Sequence, residues 1–395
     1  MRGENTLAAT KKSNVRRTKV EKTNTNKSKS IDYTFLFIIM LLLSIGLVML
    51  LSASAPAGAT KYGSSYHFFG KQLLFVVVGL VFMVIVSKID YRSYKGLVPV
   101  IFVISLVLLA LVAIPGIGIK LNGSRRWLPL PGFQLQPSEL MKLAISMLFA
   151  YMVSTGKYKV ERLREAFNPF LIILGVVAGL MLAEPHLSGT IVICGIGIWI
   201  LVSAGMRVKM LLISSPIVAS LVVLVLYFAD ENRYARIMRF LNPFEDMQNT
   251  GYQISQALYA MGSGGLFGRG LGQSVQKYSY LPEPYNDFIF SIACEELGLF
   301  GGAIIIVLFA LLIIRGFRIA LNAPDTYGTL LATGIIAQIA IQTTLNIAVA
   351  TSSVPNTGVS LPFFSYGGTA ILVLLVEMGV LLNISRASIN EHTKL

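Results

Sequence analysis

"FLFIIMLLLSIGLVMLL", residues 35–51, carries no charge and one hydroxyl, Ser44. A helix crosses a bilayer with about 17–25 apolar residues, so this run is a span or the apolar part of a signal peptide. "SASA" at 52–55 resembles a signal-peptidase site. The run is longer than a usual signal segment and many similar runs follow it, so residues 32–53 read as a retained first span. The whole chain agrees: 54% of its 395 residues are hydrophobic and 13% charged, with a mean hydropathy of +0.70. Soluble domains carry about 25% charged residues. The expected fold is therefore all-α, a polytopic membrane protein.

Ten spans are expected, at 32–53, 68–87, 97–114, 138–154, 168–184, 188–206, 208–229, 287–314, 326–352 and 359–384. They form one transmembrane domain, 31–395, behind a tail of residues 1–30. That tail holds nine Lys/Arg and two Glu without apolar periodicity, the composition of a disordered segment. It binds an anionic leaflet or only enforces orientation. With the amino terminus inside, 22 of the 33 Lys/Arg fall on the cytoplasmic side, as the positive-inside tendency requires. Both termini are then cytoplasmic in a multi-pass cell-membrane protein. Two long segments face outward: 115–136, and the loop 230–286, whose length marks it as functional. A nucleic-acid partner is not expected. Cys194 and Cys294 sit in apolar runs, and His67, His186 and His392 are scattered, so neither a disulfide framework nor a zinc cluster is available.

"GSGGLFGRGLGQS", 262–274, lacks the Gly-Lys-Ser/Thr ending of a nucleotide loop. It is a close-packed flexible loop or a backbone cradle for another phosphate. "ENRYARIMRFLNPFED", 231–246, spaces Arg233, Arg236 and Arg239 three apart. These snorkel to headgroups or recognise a lipid-linked phosphate. In "QPSELMK", 136–142, Pro137 and the cap Ser138 start a helix with Glu139 in its first turn, and Lys142 shares its face. An intramembrane pair of this kind neutralises itself or is functional. Glu377, in the tenth span, is expected to pair with Arg315 or Arg318.

"LPEPYNDFIFSIACEELG", 281–298, concentrates four carboxylates. Glu283 precedes Pro284 and is expected in extended chain. Asn286 reads as a cap, with Asp287 in the first turn of the eighth span. Glu295 lies eight residues on, about 12 Å along a helix. Paired glycosidase carboxylates sit about 5–9.5 Å apart, so no hydrolase dyad is expected. Asp287 is a lone reactive carboxylate or a helix-start residue, while Glu295 and Glu296 brace the packing around Gly298, Gly301 and Gly302.

"NGSRRW", "QPSELMKLA", "RFLNPFED", "GYQISQALYAMGSGGLFGRGLGQS", "YLPEPYNDFIFSIACEELG" and "LPFFSYGGT" together resemble, in this order, the SEDS proteins of the FtsW/RodA/SpoVE group, nearest its FtsW/SpoVE branch. The resemblance covers nearly everything after the tail. It implies a peptidoglycan glycosyltransferase that polymerises lipid II into a nascent glycan chain at the outer face of the membrane. It implies Asp287 as the catalytic residue and Glu139 and Lys142 as functionally important; Arg125, Arg126, Glu283 and Ser365 join Glu139 and Lys142 as substrate-binding candidates. It also implies a class B penicillin-binding transpeptidase as partner, beside other division or sporulation membrane proteins. "EPHLSGT" stands where many members have "QPDLGT", so His186 replaces an aspartate and the segment is given no role. "NDF" in place of "TDF" leaves Asp287 in position.

The chemistry suits that location. A lipid pyrophosphate leaves easily, so the reaction needs one base for the attacking sugar hydroxyl and cations for the departing charge. A divalent ion, Mg or Mn, held by a carboxylate is an open possibility. A flippase for a lipid-linked precursor and a scaffold for the transpeptidase are the rival readings. The outward clustering of candidate residues favours the enzyme, because a transporter needs charges along a path between both faces.

Single cysteines at Ser64, Ser124, Ser274 and Ser154, in a chain lacking Cys194 and Cys294, test the topology. An impermeant thiol reagent applied from outside is expected to label the first three and spare the fourth; labelling at Ser154 would invert the orientation.

Overall fold

Asp32 opens α1 (Tyr33–Tyr62) by accepting from the Phe35 N–H at 3.0 Å. Its other oxygen accepts from Arg315 Nε at 2.7 Å, so the cap also ties α1 to the end of another helix. This is a computed structural model, and it describes residues 31–121, 124–158, 163–184, 186–206, 243–244 and 251–391. The arginines at 233, 236 and 239 and the expected span 208–229 lie outside those residues. α1 runs without a break through "SASA".

After α1 come α2 (His67–Lys88), a 3-10 turn (Tyr91–Leu97) and α3 (Val98–Ala113). Three short strands follow, β1 (Ile119–Leu121), β2 (Ser124–Leu130) and β3 (Phe133–Leu135), then α4 (Pro137–Ser154), α5 (Leu163–Ala183) and α6 (Leu187–Ser203). The described carboxyl-terminal part holds α7 (Tyr252–Gly264), α8 (Ile289–Leu321), α9 (Thr326–Ala350) and α10 (Gly368–Glu391). Nine of the ten expected spans therefore have a described helix. Six described stretches are long and apolar enough to cross a membrane: α1, α2, Tyr91–Ala113, α8, α9 and Gly368–Ser388. The protein is a helical, multi-pass membrane protein. Val77, Val81 and Ile85 of α2 and Val100, Val103 and Val107 of α3 are exposed, as lipid-facing side chains are. α9 and α10 are mostly buried and form the centre.

The sequence expectations miss several boundaries. The tenth helix starts at Gly368, leaving 352–367 irregular. α4 is capped by Gln136, not Ser138, whose hydroxyl has no partner; Pro137 takes the first helical position, where its missing N–H costs nothing. β1, β2 and β3 form one antiparallel sheet, an addition to the helical fold; Gly132, at φ 87°, makes the tight turn between the last two. Thr369 Oγ1 donates to the Gln134 carbonyl at 2.7 Å, docking the sheet on the start of α10.

α8 is broken at Gly298 (φ 74°, ψ −173°). A break strands helix carbonyls and amides, which inside a membrane must find new partners. The glycine-rich segment supplies them. The N–H groups of Arg269 and Gly270 donate to the carbonyls of Glu295 and Glu296 at 3.0 Å each, and those of Leu299 and Phe300 donate to Gly265 and Leu266. A side chain on Gly298 would collide with the Leu266 and Gly268 backbone. These amides are thus spent on α8, which settles "GSGGLFGRGLGQS" as a packing segment.

Glu295 and Glu296 hold the same segment through their side chains. Ser274 Oγ and the Val275 N–H donate to Glu295; Ser274 and Ser124 are both buried, so of the three outward cysteine positions only Ser64 is open to a thiol reagent. Glu296 accepts from Ser52 Oγ, the Gly272 N–H and Lys277 Nζ at 2.6, 3.0 and 2.9 Å. Lys277 also reaches Ser52 Oγ and the Gly272 carbonyl. Lys277 and Glu296 are almost fully buried. Removing one partner of such a pair strands the other charge, at a cost of about 3–5 kcal/mol. Lys277→Met is expected to lower the unfolding temperature in detergent sharply, and Lys277→Met with Glu296→Leu to regain part of it. Single and double variants melting alike would show the pair to be uncoupled.

Candidate active site

The site lies at the end of the bundle that carries the sheet. Asp287 does not occupy a first helical turn. α8 begins at Ile289 with Phe288 as its cap, and Asp287 belongs to the irregular segment before it. Asn286 does not cap the helix either: its Nδ2 donates to Glu283 Oε2 at 2.7 Å. Glu283 is left-handed, at φ 51°, rather than extended. The turn closed by the Asn286 N–H on the Glu283 carbonyl imposes that conformation against the preference of a residue before proline. Asp287 is partly exposed. Burial pushes its carboxyl up to about 6; the Arg126 guanidinium pulls it down and Glu283 adds to the rise.

Arg126, from β2, is the electrostatic hub. Its charge acts on Asp287, on Glu184 and on His186. Arg125, next along the strand, projects to the opposite face. Lys142 and Glu139 of α4 form an ion pair at 2.7 Å, both buried. Lys142 acts on His186 as well, so His186 feels both cations. Glu184 and His186 are buried, and Glu184 Oε1 and His186 Nδ1 have no hydrogen-bond partner. Sequence reasoning passed over this pair because His186 breaks the usual motif. An acid and an imidazole flanking Pro185 between two apolar runs were the available signal.

Glu377 does not pair with Arg315, which belongs to Asp32, and no ion pair joins it to Arg318. It accepts from Gln338 Nε2 at 3.0 Å and lies within electrostatic range of Lys142 and Glu139. Glu139, Gln338 and Ser365 line one small cavity of about 30 Å³. Ser365 is a brace: its hydroxyl donates to the Asn286 carbonyl at 2.6 Å and accepts from the Leu361 N–H at 2.8 Å. It has no proton left for a ligand.

The structure thus gathers Asp287, Glu283, Arg126, Lys142 and Glu139, adds Glu184, His186 and Glu377, and turns Ser365 to support. A carboxylate beside two cations can take a proton from a nucleophile while a departing anion is stabilised. No three His, Cys, Asp or Glu among the described residues converge as a metal site does.

The family model described as "Cell cycle protein", covering FtsW, RodA and SpoVE, matches residues 33–390. The chain belongs to this family. It is accordingly a glycosyltransferase. It is 44% identical over 329 residues to stage V sporulation protein E of Bacillus subtilis (strain 168), covering 83% of this chain and 89% of that one. It is 42% identical over 328 residues to the probable peptidoglycan glycosyltransferase FtsW of Trichlorobacter lovleyi, covering 83% and 86%. In structure it is similar to a chain of a peptidoglycan synthase complex that coordinates polymerization and crosslinking, with TM-score 0.75, 25% identity and coverage of 91% and 98%. Rod shape determining protein RodA of Thermus thermophilus superposes with TM-score 0.67 at 25% identity, covering 90% and 97%.

Within this family member the Glu139–Lys142 pair offers a test. Lys142→Ala is expected to reduce activity severely, since it strands a buried carboxylate. Glu139→Gln with Lys142→Met removes both charges. Recovery of melting temperature without glycan synthesis would assign Lys142 to the substrate, whereas recovery of both would make the pair structural.

Proposed function

We propose that the chain polymerises lipid II at the outer face of the cytoplasmic membrane, with Asp287 as general base. The observation that carries this reading is the placement of Asp287: a partly exposed carboxylate raised to about 6, outside the membrane-spanning helix, within range of Arg126. The acceptor sugar hydroxyl attacks the anomeric carbon of the donor. Its oxygen–carbon bond forms as the carbon–oxygen bond to the lipid pyrophosphate breaks. The hydroxyl proton passes to Asp287, and the leaving pyrophosphate carries away the bonding pair. Arg126 and Lys142 stabilise that charge, Arg126 through the planar fork that suits phosphate oxygens.

Glu283 supports Asp287 by holding Asn286. The structural neighbour from a polymerizing and crosslinking complex supports a class B transpeptidase as partner. No described observation favours a flippase: the candidate groups sit at one end of the bundle.

Asp287→Asn keeps shape and hydrogen bonding but removes the basic oxygen. Glycan formation from lipid II by the purified variant is expected to fall about 10²–10⁴-fold with melting unchanged. Asp287→Glu displaces the carboxylate, and about 1 Å of misplacement can cost 10²-fold. The base works only when ionised, so the wild-type rate should fall as pH drops through about 6. An Asp287→Asn variant polymerising at the wild-type rate, or a flat profile through that pH, would move the base elsewhere.

A further inference from the structure

Asn346 lies on α9, buried to 1% exposure. Its Nδ2 donates to two main-chain carbonyls, that of Asp287 at 2.8 Å and that of Val359 at 2.7 Å. Both carbonyls belong to irregular chain, and neither has a helix partner to fall back on. Val359 adjoins Gly358, whose φ of 66° is left-handed and whose missing Cβ would stand 3.2 Å from Asp287 Oδ2. Two turns of chain thus face each other across the carboxylate, one carrying it and one walling it, and a single amide clamps them together. The Gly358 N–H is held in turn by Asn356 Oδ1 at 3.2 Å.

We infer that Asn346 is a positioning residue for the glycosyl transfer, fixing both the aim of the Asp287 carboxylate and the wall that shields it. The inference rests on Asp287 acting as base. With the amide gone, the two carbonyls separate, Gly358 recedes and water covers more of the carboxylate. The group then ionises more easily, because shielding from water holds its titration high; the charges that face it, Arg126 from the sheet and Glu283 from its own segment, stay where they are. Loss of aim lowers turnover, while the lipid-linked substrate, held by the cations, binds as before.

Asn383 is a built-in control. It is a buried asparagine near the other end of the bundle, accepting from the Tyr91 N–H and donating to the Ser87 carbonyl at 2.9 Å each. The full-length chain, purified in detergent, is assayed for glycan synthesis from lipid II across pH 4.5–8, as wild type, Asn346→Leu, Asn383→Leu and Asp287→Asn. Asn346→Leu is expected to lose about 10–10²-fold in kcat with KM changed less than about threefold. Its acid limb should move below the wild-type position near 6. Asn383→Leu is expected to lose stability and leave the limb in place. Should Asn346→Leu not fold, Asn346→Ser, which keeps a hydroxyl for one carbonyl, carries the same test with a smaller shift. An Asn346 variant with an unmoved limb, or one matching Asn383→Leu in every respect, overturns the inference. Activity surviving in Asp287→Asn would instead overturn the base assignment beneath it, so the two failures are distinct.

Discussion

A main-chain carbonyl that leaves its helix in a membrane protein has no bulk water to turn to, and an unmet carbonyl costs several kcal/mol. The functional end of this chain is built around that constraint. Reactive groups need irregular backbone, and irregular backbone needs side-chain partners. Asn346 serves the carbonyls of Asp287 and Val359, and Ser365 serves that of Asn286. Gln72 joins the Ser365 carbonyl to the Gly367 N–H, and the glycine segment serves the break at Gly298. Asn346, Ser365 and Gln72 are each buried, or nearly so, because the backbone needs them.

The charged groups divide in the same way. Some hold architecture: Asp32 with Arg315 and Asp325 with Arg92 fasten helix ends away from the site, and Glu295 and Glu296 fasten the glycine segment. Others gather around Arg126 and Lys142. The two sets differ in their partners. Each architectural carboxylate is satisfied by short, fixed donors, whereas Glu184 and His186 keep buried atoms without a partner. A group left with unmet hydrogen-bonding capacity is costly to the fold.

Much of this was legible in the residues. Apolar runs gave nine helices, because bilayer thickness sets their length independently of tertiary context. Asp287 stood out as a lone carboxylate, and the spacing of Glu139 and Lys142 gave their pairing. What sequence did not carry was set by contacts far apart in the chain. Asn346 is fifty-nine residues from its Asp287 partner, and nothing near it distinguishes it from other polar residues in span nine. The start of α8 at Ile289 reflects a turn held from outside, which defeated the capping rule at Asn286. Glu377 was assigned to the wrong end of the bundle because position along a helix says nothing of which neighbour it faces. Ser365 is a candidate ligand group by its motif, and only the geometry shows that its proton goes to the Asn286 carbonyl.

One wall beside Asp287, on the Gly358 side, is main chain and not side chain. Gly358 presents a hydrogen where other residues would present a methyl group, and Val359 contributes its carbonyl to the clamp. An inhibitor shaped to reach this carboxylate would therefore press on atoms common to every amino acid. Drug resistance usually arises by exchanging one contacting side chain for another. On this wall such an exchange would have to alter the course of the backbone, and with it the placement of Asp287.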